Sequence, residues 1–250
     1  MDSPMAHIPV IKEKLANKRL KPLTDFKFLA NLPVVEVVIG EFSSAASSYP
    51  IFFIEREGTY APVALLSLIN DQNMFVEEDG SWSGYYLPAA FRRFPFTIGP
   101  AIVDGKEVPA LLVDEDQLSD SEGELLYGAE GKDEAETPIG RTMRLIGETD
   151  RHHSITRTLM AELAAAGLIR NSDLKVQLVG QNHNITGLFG IDEKKLQELP
   201  DDQFLKLRHS GALSLAHIQL QSVGQIQRLV MRHNVREAVK RGEKPKALLD

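Results

Sequence analysis

Arg92 and Arg93 stand inside a run of aromatic residues, with Trp82, Tyr85, Tyr86, Phe91, Phe94 and Phe96 close by in the chain. A guanidinium beside an aromatic wall can hold a carboxylate or phosphate through paired N–H donors, or stack on a planar ligand. Trp82, Tyr86, Arg92 and Arg93 are therefore the candidate ligand-binding set. The competing reading is structural: the aromatics fill a core, and one arginine pairs with a carboxylate at its edge. Adjacent helical residues point about 100° apart, so one of the two arginines would face inward and the other outward.

Other side chains that carry chemistry fall into weaker patterns. His152 and His153 are neighbours and do not share a metal from one helix, while His209 and His217 are separated by Gly211. No H-E-x-x-H or H-x-D/E spacing occurs, so no metal site is expected and no cofactor is implied. His183 lies in Gln181-Asn182-His183-Asn184, which reads as a turn. Gly80-Ser81-Trp82-Ser83-Gly84 places serines near glycines, but in the wrong frame for a nucleophile elbow. Neither glycine-rich nucleotide fingerprint is present. Asp114-Glu115 and Asp192-Glu193 each follow a strand-like segment; an aspartate that caps a turn with glutamate behind it explains both.

Arg228, Arg232, Arg236 and Lys240 recur every fourth residue, which lays a basic stripe along a helix. The plain reading is a solvated face. The functional one is a docking surface for an acidic partner, such as the 114–136 segment of a second copy. That segment holds ten carboxylates and one lysine.

The chain has 250 residues, enough for one large core or two modest ones. Its formal charge of −7 argues against nucleic-acid binding. No apolar run is long enough to span a membrane, and Met1–Leu20 lacks the apolar core of a secretory signal. With no cysteine there are no disulfides and no thiolate chemistry. Cytoplasmic residence is the simplest expectation.

The elements that must hold these residues read as α+β: a mostly antiparallel sheet with packed helices and a helical C-terminal tail. Residues 1–22 read as an extended arm, 23–220 as a single domain and 221–250 as the basic tail. Strands are expected at 31–40, 50–56, 62–69, 73–77, 110–114, 174–179 and 185–191, from β-branched and alternating apolar residues. Asp79-Gly80 reads as a turn and Leu87–Arg93 as a short helical turn with Pro88 at its first position. The acidic 115–136 segment has little to bury and reads as a mobile loop. Thr137-Pro138 is a strong helix start, followed by Ile139, Met143, Ile146, Ile155, Leu159 and Leu163 at helical spacing; one helix or two would fit. Gly167 fits a C-cap, and a helix is expected from Ala212 to about Arg241.

Several stretches resemble the SapC family of bacterial proteins. They are Asp25-Phe26-Lys27-Phe28, Glu41-Phe42, Tyr49–Phe53, Phe75-Val76 with Gly80 and Trp82, Leu87–Phe96, Gly187–Leu196, and Leu199–Phe204 with Gly211. The likeness covers roughly residues 23–234. It implies no catalytic or binding residues. Its family context implies an accessory or ligand-binding protein linked to nutrient uptake. The alternatives are an enzyme of unfamiliar type acting with a flavin or iron partner, or a surface-layer component. A homo-oligomer is compatible with all of these.

Overall fold

The computed structural model describes residues 7–103 and 105–243, so the first six residues of the expected arm and residues 244–250 of the expected tail lie outside the described residues. The protein is α+β, with antiparallel sheets throughout the described residues. The chain forms two compact units: residues 1–24 with 89–150, and residues 25–88 with 151–250.

In the first unit the segment read as an arm is paired into sheets. His7–Pro9 lies against Lys106–Asp114, which forms a long hairpin with Phe96–Val103. Arg19–Leu20 is the middle strand between Leu118–Ser119 and Glu124–Leu125. Gly123 is required there, because a Cβ would fall 2.0 Å from the Leu20 carbonyl oxygen. Leu15, Phe96, Val113 and Leu126 make the core. The acidic segment is therefore built of short elements, fixed in part by Glu124, which pairs with Arg141 at 2.5 Å and Lys132 at 2.7 Å. These two cations hold the Glu124 carboxyl down at about 2, Arg141 contributing most. The expected start at Thr137-Pro138 is present: Thr137 Oγ1 accepts from Gly140 N at 3.1 Å and Pro138 opens the helix. That helix is a single one, Pro138–Ala165, and Gly167 beyond it has φ +67°.

The second unit is built on a five-stranded sheet. Its order is Ile169–Asn171, Phe189–Ile191, Ile51–Arg56, Thr59–Leu65, Val34–Glu36. Arg56 pairs with Thr59 across Glu57-Gly58, both at positive φ, which matches the twist of a tight two-residue hairpin. Ile51, Phe52 and Phe53 are buried in succession rather than alternately, because the strand is covered on both faces. Phe189–Ile191 meets this strand through one paired position, Phe189 with Phe53. The helix Ala212–Ser222 fills the resulting gap. Gln219 Nε2 donates to the Ile51 carbonyl at 2.9 Å, Gln219 Oε1 accepts from Ile191 N at 3.1 Å, and Ser222 Oγ accepts from Ile51 N at 2.9 Å.

Three elements depart from the sequence reading. Residues 185–191 are not one strand: Leu174–Leu178 pairs with Gln181–Ile185, and Gly187 at φ +79° separates that hairpin from Phe189–Ile191. The polar 181–184 stretch is accordingly a strand, and its turn is Val179-Gly180. Residues 73–77 supply only an isolated bridge, Val76 to Trp82, since Asn73 turns the backbone by accepting from Phe75 N at 2.9 Å. The expected C-terminal helix is divided into Ala212–Ser222 and Gln225–Lys240.

Candidate functional site

Aromatic side chains of the second unit form a continuous stack. Trp82 lies 5.8 Å from Phe75 and 5.9 Å from Phe26, and Tyr49 meets Phe75 edge-on at 4.8 Å. Phe26 is brought to Trp82 by its N–H, which donates to the Gly80 carbonyl at 2.8 Å. The polar tips are tied together as well. Trp82 Nε1 donates to the Tyr86 carbonyl at 3.2 Å, the Tyr49 hydroxyl donates to the same oxygen, and the Tyr86 hydroxyl donates to Glu41 Oε2 at 2.8 Å. Burial pushes the Tyr49 phenol well above its ordinary range. Gly84 makes this closeness possible, because a Cβ there would fall 2.6 Å from both Trp82 Nε1 and the Tyr49 hydroxyl.

The arginine seated on this stack is Arg232, from the helix Gln225–Lys240. Its guanidinium lies 4.6 Å from the Phe75 ring centroid and donates to Ser83 Oγ at 2.9 Å and the Ser83 carbonyl at 3.0 Å. Arg236, one turn further on, donates to the carbonyls of Asn73 at 2.9 Å, Val76 at 2.8 Å and Met74 at 3.3 Å. Both arginines approach the single carboxylate of Glu77, at 3.8 and 3.4 Å. Burial lowers the pKa of Arg232 from its ordinary value, with Glu77 opposing. Two members of the basic stripe are thus turned onto the protein's own 73–83 loop. Arg228 and Lys240 are exposed, and Lys240 pairs with Glu237 at 2.7 Å.

Of the sequence-selected binding set, Trp82 and Tyr86 are brought together in the second unit. Arg92 ends the helix Ala89–Arg92 in the first unit; it and Arg93 are both exposed. Sequence reasoning missed Arg232 as a partner of the aromatics, because it sits 150 residues from Trp82 in the chain and its four-residue spacing describes a solvated face equally well.

The histidines are dispersed. His153 Nδ1 lies 3.4 Å from Glu36 Oε1 at the surface, His209 and His217 sit on separate helices broken by Gly211 at φ +94°, and His233 is 6 % exposed. Burial lowers the His233 pKa. Among the described residues no group of three or more His, Asp or Glu is placed to hold a metal. Asp114 and Asp192 serve as turn caps, accepting from Asp116 N at 3.1 Å and Lys195 N at 3.2 Å.

The second unit also carries open recesses. One of about 670 Å³ has Phe52, Gly190, Ile191 and Gln219 in its lining, together with the exposed side chains of Arg170, Asp173, Glu193 and His217. Another, of about 480 Å³, lies against the 74–81 loop with Met74, Val235 and Val239 facing Glu77, Glu78 and Asp79. Among the described residues no helix is long and apolar enough to cross a membrane.

The family model for SapC matches residues 11–229, and the chain belongs to the SapC family. No curated protein and no solved structure matches it.

Proposed function

We propose that this protein acts as an accessory ligand-binding protein that takes a small zwitterion, such as a free amino acid or a short peptide, in the 670 Å³ groove of the second unit. The observation that carries this reading is the groove's charge arrangement. Arg170 offers donors to a carboxylate, while Asp173 and Glu193 offer acceptors to an ammonium group. The floor between them is fixed. Gln219 spends both ends of its amide on Ile51 and Ile191, and Asp173 is oriented by Gly187 N at 3.0 Å. Exposed side chains over a rigid floor suit modest, exchanging affinity rather than permanent retention.

The test is saturation-transfer NMR with dialanine at millimolar concentration on the full chain, repeated with the variant Arg170→Gln/Glu193→Gln. Transfer to dialanine in the wild type, weakened at least about tenfold by the double neutralisation through loss of both charge pairs, supports the reading. Absence of transfer in the wild type, or equal transfer in both proteins, overturns it.

A further inference from the structure

A second, much smaller cavity lies beside the aromatic stack. Its volume is about 30 Å³, and Ser48, Phe75, Gln225, Arg228, Leu229 and Arg232 contribute to its walls. That is room for one water-sized species. Ser48 follows the short helix Phe42–Ala46 and is 9 % exposed. The buried Ser48 Oγ has no hydrogen-bond partner among the described residues, and the same is true of the buried Gln225 Oε1. Two orphaned polar atoms on residues that line one small cavity mark a place where a ligand completes the hydrogen bonding, because a buried polar group without a partner is destabilising.

The surrounding charge selects the ligand. Arg228, Arg232 and Arg236 occupy one helix face at four-residue steps, and Glu77 is the carboxylate that Arg232 and Arg236 share. Arg228 makes no ion pair or hydrogen bond among the described residues, and Glu237 on the same helix pairs with Lys240 instead. Of the two guanidinium groups that line the cavity, Arg232 shares the Glu77 carboxylate with Arg236 and Arg228 has none among the described residues, which leaves an excess of positive charge beside the cavity. A neutral water would satisfy the hydroxyl and the amide but not that excess. The hydroxyl of Ser48 rotates freely to donate, and a flip of the Gln225 amide presents its NH₂ in place of its oxygen.

We propose that this cavity is a binding site for one small monovalent anion of halide size, held by Ser48, Gln225 and Arg228 with Arg232 at its inner edge. The bound anion bridges the turn at Ser48 to the C-terminal helix and balances the charge of the arginines that clamp the 73–83 loop. A sulfate or phosphate is too large for the space. This inference does not depend on the zwitterion groove, since the two share no lining residue.

Thermal unfolding of the full chain in sodium chloride or bromide, against sodium gluconate at equal ionic strength, tests it. The expected result is a saturable rise in melting temperature with chloride and bromide over gluconate. That rise should disappear in Arg228→Gln, an exposed position whose replacement leaves the fold intact, and shrink in Ser48→Ala. Melting that is identical in halide and gluconate, as a water-filled cavity would give, overturns the proposal. So does a halide effect that survives in Arg228→Gln.

Discussion

Replacing Gln219 by alanine should open the sheet of the second unit at its weakest seam. The side chain is 1 % exposed and makes two hydrogen bonds to backbone groups on strands that pair with each other at a single position. Its removal leaves the Ile51 carbonyl and the Ile191 N–H buried without those partners. Each such group costs about 1–3 kcal/mol, and the loss of packed side-chain volume adds to it. The two groups together would cost about 2–6 kcal/mol, but Gln219 borders the open groove, so water reaches part of the gap and holds the total to the lower half of that range, about 3 kcal/mol. For a protein of this size that corresponds to a fall of roughly 6–12 °C in melting temperature. Urea unfolding followed by circular dichroism measures it, with Gln219→Met as a control that keeps the volume but not the hydrogen bonds. Both variants should lose stability, Gln219→Met by less because it keeps the packed volume. A loss below about 1 kcal/mol in both would show that the sheet does not depend on this amide.

Other consequences can be checked separately. Arg236→Ala frees the Asn73 and Val76 carbonyls and leaves Met74's only its bond from Arg232, so it should speed amide exchange across 73–83, by an opening free energy lower by about 2–3 kcal/mol; Arg236→Lys should not restore protection, because a point ammonium cannot span the carbonyls that a planar guanidinium reaches. Val179 is β-branched at φ +50°, held there by its N–H donating to Asn234 Oδ1 at 2.8 Å. Val179→Asn should therefore raise stability by about 0.5–1 kcal/mol, and a destabilised variant would contradict the strain. The Glu124 carboxyl is held below its unfolded value, so its contribution is fully present above pH 4.5 and is lost as pH falls from there towards about 2. Glu124→Gln should flatten the acid limb of an unfolding profile over that window; an unchanged limb would show that Arg141 and Lys132 do not stabilise the folded state through it.

Much of the fold was legible where local chemistry dictates it. Thr137-Pro138 states a helix start through a capping oxygen and a residue that needs no donor, and residues 50–69 state two strands through their two apolar runs. The class α+β followed from such signals. What the sequence concealed is non-local. Asn73 looks like the end of a β-strand, yet its side chain bends the chain by reaching both Phe75 N and the Leu29 carbonyl. Gln219 looks like one more polar residue on a helix until the strands it bridges are set beside it. Trp82 and Tyr86 could be picked out because aromatics crowd that stretch of the chain, whereas Phe26, Tyr49 and Phe75 join them only through the fold. The arginine of the site could not, since nothing in the spacing of Arg228, Arg232 and Arg236 separates a helix face that meets solvent from one that meets a loop.

Both compact units are assembled from two separated stretches of chain, residues 1–24 with 89–150 and 25–88 with 151–250. During synthesis, then, neither can finish in order. Arg19 and Leu20 emerge more than a hundred residues before Glu124 and Leu125, the strand that flanks them, while Ile51 waits still longer for Gln219. The nascent chain must carry His7–Pro9 and Arg19–Leu20 unpaired until residues 112–125 have been made, close to half of the chain. The same interleaving means that no single cut separates the two units: a fragment ending at residue 88 lacks the second stretch of both, and one ending at residue 150 keeps the first unit but leaves residues 25–88 without their partners. Dissecting this protein calls for circular permutation or a linker spliced across the excised segment, not for simple truncation.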